Sequence, residues 1–393
     1  MSSVSVIIPV FNQLEYTRDC VESLLRFKDV DELEILVVDN GSTDGTKEYL
    51  STLASNADIF KILNFESNQG YACANNLAAQ SASGELLIFL NNDTVSIGPW
   101  LSTLLEPLTN DAAVGVVGAR LIYPNWDLIN SAGYVYSATV GAFYPIYEMM
   151  EPFLPAANKR REYQALLGAC VAMRAHEFRA LGGFRDIGLE DIDLCLRVKQ
   201  KNQRILYVPE ASLYHFGSVT LHNSDIAQIP PSTTQEFKKA WGATLQADDQ
   251  QYYDADGYKV EEIRDGRILL DAPEAKSRGL LAIAIIKFRQ QQLDQAEAYL
   301  REAISIDSTN RVARSELVLL LIEKRQVREA LDLSAMLVQE FPTFIPAALC
   351  HAQLLAHTGN QSEARDVLKS ILETPSLAAF QKRSVNMVAA AIG

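Results

Sequence analysis

The sequence is poor in cysteine, in histidine and in positive charge. It carries 5 Cys and 5 His in 393 residues. The cysteines lie apart, with no Cys-x-x-Cys pair and no histidine cluster beside them. That spacing argues against a disulfide framework or a zinc site and fits a reducing compartment. Lys and Arg number 35 against 49 Asp and Glu, a formal net charge of -14. Broad nucleic-acid binding needs basic surface, so no nucleic-acid partner is expected. Long apolar runs are missing too. No stretch approaches the roughly 18–20 apolar residues of a membrane span. The opening "MSSVSVIIPVFNQ" has no basic region before its apolar run, and that run is too short for a signal peptide. These absences together predict a cytoplasmic protein with no membrane span.

The hydrophobic share of 48% and charged share of 21% are those of ordinary globular chains. The length allows two or three domains. In the first half, strand-like apolar runs alternate with amphipathic stretches. "VSVIIPV", "LEILVVD", "DIFKILNF" and "ELLIFL" read as strands. Leu14 to Phe27, "GSTDGTKEYLSTLA" and "QGYACANNLAAQSA" read as helices, the second with a leading turn. Strands alternating with helices predict parallel pairing, and continuous apolar strands predict a sheet covered on both faces. The expected fold is α/β: a doubly wound, Rossmann-like domain over 1–225. Ligands in such sheets bind beyond the carboxyl ends of the strands. There "FN", "DNGSTD" and "NNDT" are expected to converge. Ser42, Thr43 and Asp44 are candidate caps for the next helix.

Residues 226–275 change character. Pro230-Pro231 and "ADDQQYYDADGY" predict irregular or exposed structure, while Phe237, Trp241 and Tyr252 predict that part of the segment packs, so it reads as a tail of the first domain plus a linker. Residues 276–393 change again. "LDQAEAYLREAI", "VREALDLSAMLV" and "QSEARDVLKSIL" begin at Leu293, Val327 and Gln361, a step of 34 residues each time. The step puts Ala296, Ala330 and Ala364 in register, where two helices cross closely. The period predicts an all-α array of stacked helix pairs. It resembles tetratricopeptide repeats, although most aromatic and glycine positions of the first helix are replaced.

Four places carry chemistry. Asp39 has a bland account, an Asx-turn after a strand. It also has a functional one, a carboxylate accepting the N3–H of uracil or thymine, with Gly41 allowing close backbone approach. Asn91-Asn92-Asp93 ends an apolar run with two amides and one carboxylate. It reads as a polar turn or as a diphosphate–metal corner. Mg(II) or Mn(II) takes diphosphate oxygens and water besides protein oxygen, so one carboxylate suffices. Glu190, Asp191 and Asp193 begin an amphipathic helix, where acids stabilise the dipole by roughly 0.3–1 kcal/mol and where one of them can also serve as a base. His215 in "VPEASLYHFGS" is either structural or a neutral metal ligand.

Seven segments in order, "SVIIPVFN", "EILVVDNGSTDGT", "NQGYACANN", "SGELLIFLNNDT", "LLGACVAMRAHEFRALGGF", "LEDIDLCLR" and "ILYVPEASLYHFGS", resemble the inverting, nucleotide-diphospho-sugar type of family-2 glycosyltransferase. The likeness runs from Val4 to Ser218. "FKKAWGATLQADDQQYY" is similar to the tail of bacterial rhamnosyltransferase-like members. The resemblance implies a donor site of Pro9, Val10, Phe11, Asn12, Asp39, Gly41, Asn68, Gly70, Asn75, Asn76, Asn91 and Asn92. It implies Asp93 as metal ligand with His215 as a second, and Mg or Mn as cofactor. It implies Asp191 as general base with Glu190 in support, and an acceptor side of Gly168, Ala169, Gly183 and Phe184. Most relatives carry Asp-x-Asp where Asn91-Asn92-Asp93 stands, and many carry Arg where Asn75 stands. These departures imply a dTDP- or UDP-linked donor, dTDP-rhamnose among the candidates, and weaker metal dependence. The Gln-x-x-Arg-Trp segment and membrane helices of processive members are missing, which implies transfer of a single sugar or a short run. The acceptor is expected to be a saccharide or a protein, and the repeats to recruit it, to bind a partner or to self-associate. The contrasting reading is a degenerate transferase fold acting as an interaction scaffold. The presence of Asp39, Asp93, Asp191 and His215 favours the enzyme.

Overall fold

The computed structural model describes residues 2–217, 231–374 and 377–392. The start of the expected linker, with Pro230, and the last residue of the family-like region, Ser218, lie outside the described residues. The chain divides into two compact units, Met1–Asp249 and Gln250–Gly393. The division falls inside the segment expected to be tail and linker.

In the first unit, β1 (Val4–Val10), α1 (Leu14–Arg26), β2 (Leu33–Asp39), α2 (Thr46–Asn56), β3 (Phe60–Asn64), α3 (Tyr71–Ser81) and β4 (Leu86–Leu90) follow the expected alternation. The strands pair in parallel, β1 with β2, β2 with β3 and β1 with β4. Ile7, Ile8, Ile35, Val37, Leu87 and Ile88 are fully buried, as strands covered on both faces must be. Next come β5 (Thr94–Ser96), α4 (Leu101–Asn110), β6 (Val114–Tyr123), β7 (Leu128–Ser131), β8 (Tyr134–Ser137) and β9 (Ala142–Pro145). Then follow β10 (Arg161–Glu162), β11 (Cys170–Arg174), α5 (Ala175–Ala180), α6 (Glu190–Gln200) and β12 (Arg204–His215).

The main sheet runs β10-β12-β6-β11-β4-β1-β2-β3. It is mixed, not wholly parallel, because β11 enters antiparallel between β4 and β6. That insertion brings the start of β11 beside the end of β4, where Asn91 N–H donates to Ala169 O at 2.9 Å. The strand order reverses between β1 and β4. Pairing of β1 with β4 stops at Ile7–Phe89, while pairing with β2 continues to Val10–Asp39. Pro9, which has no N–H to give, lies in the stretch beyond the β4 pairing.

The tail is more ordered than its composition suggests. Helix α7 (Pro231–Trp241) buries Phe237 and Trp241. In the second unit, α8 (Asp249–Asp256) precedes a hairpin of β13 (Val260–Arg264) and β14 (Arg267–Leu270). Its turn is Asp265–Gly266, both at positive φ, 47° and 74°. That is the Asp-Gly pair which a tight hairpin selects, inside a stretch expected to be irregular. Helices α9 (Pro273–Arg289), α10 (Leu293–Ile306), α11 (Arg311–Glu323), α12 (Val327–Glu340), α13 (Ile345–His357), α14 (Gln361–Leu372) and α15 (Ala379–Ile392) complete the unit. Among the described residues no helix is long and apolar enough to cross a membrane.

The alanines at the 34-residue step, Ala296, Ala330 and Ala364, are fully buried in α10, α12 and α14. A larger side chain there overpacks a helix crossing. Ala330→Leu is expected to cost about 1–3 kcal/mol, measured as a drop in the urea midpoint of the helical signal. An unchanged midpoint would show that the crossing has room for a larger group.

Candidate active site

The polar residues at the strand ends come together along one edge of the sheet. Asn12 and Gln13 leave β1 in the left-handed region, φ 55° and 63°. This turns the Asn12 side chain toward the end of β2. Thr43 N–H donates to Asn12 Oδ1 at 2.7 Å, and Asn12 N–H donates to Ser42 Oγ at 2.7 Å. Asp39 is buried, and its Oδ1 accepts Ser42 N–H at 2.9 Å, which realises the Asx-type turn. Gly41 has φ 84°, and a Cβ there would lie 2.7 Å from Ser67 Cα. Only glycine fits both the angle and the contact. The capping expectation is corrected in part. Gly45 is the N-cap of α2, Ser42 and Thr43 are bonded to Asn12, and Asp44 alone serves helix starts. Its two oxygens accept Thr46 N–H at 3.2 Å and Leu14 N–H at 3.0 Å.

Asn68 and Gly70 belong to a loop tied to the end of β2. Asn40 Nδ2 donates to Asn68 Oδ1 at 2.9 Å, and Gly70 N–H donates to the same oxygen at 2.9 Å. Asn75 is fully buried and donates from Nδ2 to Tyr71 O at 3.0 Å. Asn76 clamps the Gly-Gly-Phe loop. Its Oδ1 accepts Phe184 N–H at 2.8 Å, and its Nδ2 donates to Phe184 O at 2.9 Å. A Cβ on Gly183 would meet that amide at 2.3 Å. Phe184 is buried edge-on to Tyr71 and Phe89, with ring centroids 5.4 and 4.8 Å apart. Each such pair adds roughly 0.5–1.5 kcal/mol beyond area burial. The side chains of Asn76 and Phe184 thus hold the loop.

Across β4, Asn92 Nδ2 donates to Thr17 Oγ1 of α1 at 3.0 Å. The Asn91 carbonyl accepts Thr94 Oγ1–H at 2.7 Å. Asp93 and His215 are both buried and face each other from β5's leading edge and the end of β12. His215 Nε2 lies 3.4 Å from Asp93 Oδ1 without a hydrogen bond between them. His215 Nδ1 is 2.7 Å from Asn130 Oδ1. Two lone-pair atoms this close repel unless a cation or a proton lies between them. A proton on Nε2 or a divalent ion would relieve that repulsion between Nε2 and Asp93 Oδ1, so the pair is a candidate metal site.

Asp191 stands in the first turn of α6. Its Oδ2 accepts Gly168 N–H and its Oδ1 accepts Ile192 N–H, both at 2.8 Å. Burial outweighs these two bonds and holds its carboxyl above the usual range. Glu190 is raised as well, by burial first and then by neighbouring carboxylates, Asp191 foremost. Tyr71 donates to Gly168 O at 3.1 Å, so both sides of the Gly168 residue are held. A Cβ on Gly168 would sit 2.9 Å from Asp191 Cβ. Ala169 carries the path onward to Asn91.

Asp193 does something else. It is fully buried and ion-paired to Arg185 and Arg197, and Trp241 Nε1–H donates to its Oδ1 at 2.9 Å. Its carboxyl is held below the usual range: burial pushes it up, but the bonds from Arg185 and Trp241 and the charge of Arg197 overcome that push. Tyr71, Asn130 and the two arginines escaped the sequence reading, and Trp241 entered it only as an aromatic of the tail, with no partner assigned. Trp241 is 48 residues from Asp193, and neither it nor Asn130 sits in a motif that announces a partner.

The first unit is a Rossmann-like α/β fold with its polar residues gathered at the strand ends. Residues 5–175 match the family model "Glycosyl transferase family 2". The chain is 31% identical over 250 residues to the uncharacterized protein y4gI of Sinorhizobium fredii, covering 61% of this chain and 27% of that one. It is 32% identical to the O-antigen biosynthesis protein RfbC of Myxococcus xanthus, over 55% of this chain and 17% of that one. With glycosyltransferase AglE of Haloferax volcanii it shares 35% identity, over 31% of this chain and 41% of that one. The chain thus spans less than half the length of these relatives. Among solved structures it is similar to GalNAc-T7 with UDP, GalNAc and Mn2+, at 18% identity and TM-score 0.48, over 55% of this chain and 44% of that one. That likeness is too distant to bear on this chain's chemistry.

Removing the carboxylate of Asp193 leaves Arg197 buried beside an empty partner site. Asp193→Ala is expected to cost about 3 kcal/mol, the low end for a broken buried pair because Arg185 reaches water. Chemical denaturation of the variant checks this, and a loss below about 0.5 kcal/mol would contradict the structural role.

Proposed function

We propose that the Met1–Asp249 unit is an inverting glycosyltransferase that moves one sugar from a dTDP- or UDP-linked donor to an acceptor hydroxyl. The observation that carries this reading is the path from Asp191 through Gly168, Ala169 and Asn91 to the Asp93 corner. It places a carboxyl of raised pKa and a candidate cation pair at one sheet edge, where α/β sheets bind ligands. Asp191 takes the proton of the acceptor hydroxyl. The acceptor oxygen bonds to the anomeric carbon as the bond from that carbon to the diphosphate breaks. The nucleoside diphosphate leaves with the electron pair. Asp93 and His215 would hold Mg(II) or Mn(II), which when bound neutralises charge on the departing diphosphate. Val10, Phe11, Asn12 and Asp39 hold the nucleotide, and Asp39 reads the pyrimidine N3–H. Glu190, near Asp191, supports the base. Gly168 and Ala169, without bulky side chains, line the acceptor side.

The family-2 match and the O-antigen name of the Myxococcus relative support a bacterial surface saccharide as acceptor. A protein acceptor is the second candidate. The helices of 276–393 keep the 34-residue step of tetratricopeptide-like repeats, whose surfaces bind peptides and partners. On this reading they recruit the acceptor or a partner, and the enzyme works in the cytoplasm, where nucleotide sugars are made.

Asp191→Asn removes the proton acceptor and keeps the shape. Transfer is expected to fall about 10²–10⁴-fold with donor affinity unchanged. In the wild type, a raised Asp191 pKa puts the acid limb of kcat/KM above the ordinary Asp range, with activity rising as pH rises through it. Lost donor affinity at normal turnover, or an acid limb at the ordinary value, would contradict the assignment. Donor class is checked by calorimetry with dTDP-, UDP- and GDP-sugars, with and without Mg(II) or Mn(II). Binding of a pyrimidine-linked donor, metal-assisted in the wild type and not in Asp93→Ala, is expected. Strict preference for a GDP-sugar would sink the donor assignment.

A further inference from the structure

We infer that Asn130 is a positioning residue that fixes the tautomer of His215 and so prepares the Asp93–His215 pair for a divalent cation. The inference rests on the metal reading proposed above and adds a residue that the seven family-like segments do not include. It begins with a backbone irregularity. β7 pairs antiparallel with β6, with Ser131 opposite Leu121 but Ile129 opposite Ile122. Asn130 is the extra residue of a β-bulge. Such a bulge breaks the alternation of the strand and re-aims a side chain. Ile129 and Ser131 on either side are buried. The other edge of β7 is fixed by Met149 N–H donating to Ile129 O and by Ile129 N–H donating to Met150 O, each at 2.8 Å. The bulge is therefore held from both sides.

Asn130 is itself more than nine-tenths buried, and its Oδ1 lies 2.7 Å from His215 Nδ1. An amide oxygen only accepts, so the proton of a neutral imidazole must sit on Nδ1. Nε2 then carries a lone pair. That lone pair is buried, makes no hydrogen bond among the described residues, and lies 3.4 Å from Asp93 Oδ1. A neutral histidine placed this way presents the nitrogen that a metal needs, and an oxygen acceptor on the opposite nitrogen fixes the tautomer and the ring orientation. The opposite amide orientation gives the reverse state. Nδ2 would then donate to Nδ1, the proton would move to Nε2, and the pair would be an ordinary His–Asp hydrogen bond with no lone pair to offer.

The test uses the full chain labelled with 15N-histidine at pH 8, without metal or nucleotide. The five histidines are assigned by the signal lost in His215→Gln. Long-range 1H–15N correlation is expected to show His215 protonated on Nδ1 in the wild type and in Asn130→Asp, whose carboxylate also accepts. Asn130→Ala is expected to lose that pattern. Mn(II) affinity, followed by electron paramagnetic resonance with UDP present, is expected to fall about 10–100-fold in Asn130→Ala and to be kept in Asn130→Asp. A wild-type His215 protonated on Nε2 overturns the inference. So does a His215→Gln protein with weakened Mn(II) binding beside an Asn130→Ala protein that binds Mn(II) normally. If His215→Gln itself binds Mn(II) as the wild type does, the metal reading fails and the positioning role fails with it.

Discussion

The site depends on one buried charge. Asp193 is shut away from water inside α6, and an isolated carboxylate there would cost several kcal/mol. Arg185, Arg197 and the Trp241 indole offset that cost. The same contacts fix geometry. Arg197 also donates to Leu181 O at 3.0 Å and to Gly183 O at 2.7 Å. One guanidinium thus stitches the glycine loop to the helix. Leu189 enters α6 in the left-handed region, φ 55°, a position that only a well-anchored loop holds. Asp191, two residues before Asp193, is carried into place by this anchoring.

Two acids in one helical turn therefore have opposite fates. Asp193 is paired with cations and stays ionised, while Asp191 meets only backbone N–H groups and is pushed up by burial. Environments that drive neighbouring carboxyls apart assign them different tasks. The stability consequence has a definite sign. Asp191 binds its proton more tightly folded than unfolded, so stability is lost as pH rises through its folded pKa. Asp193 works the other way: its contribution is present above the unfolded pKa and lost as pH falls through the lowered one. The fold keeps one carboxyl costly because the other, with its arginines, makes the helix start secure.

The parts legible in the sequence were those governed by local pattern. β1 and β2 fall at Val4–Val10 and Leu33–Asp39, as their apolar runs predict, because both faces of these strands are buried. The 34-residue step locates α10, α12 and α14 because small residues must recur at each crossing. What escaped depended on partners distant in sequence. β11 is five residues long, too short to declare its antiparallel direction. The expected linker holds a hairpin whose Asp265–Gly266 turn obeys a local rule, and the acidic composition around it masked that signal. Asn76 and Phe184 sit in motifs of the sugar-transfer resemblance. Their side chains here secure the loop, so motif membership did not separate scaffold from contact. Asn130 was invisible, because a bulge changes the direction of a side chain without changing composition.

The two amides that depart from the pattern of the resemblance stand on elements that share β1 as a neighbour. Asn75 is fully buried on α3, and its Oδ1 has no hydrogen-bond partner. Asn91 stands at the end of β4, whose strand pairs with β1, the strand that α3 packs against. An arginine at position 75 with an amide at 91 would bury a cation on the side that has lost an anion. An aspartate at 91 with an amide at 75 would do the reverse. Asn91 is only half-buried, so the cost falls on position 75, where burying an uncompensated charge costs more than losing a neutral hydrogen bond. With amides at both positions neither charge is introduced. Asp93 and Asp39 keep their carboxylates at the strand ends, one facing His215 and the other turned into its own strand-end loop.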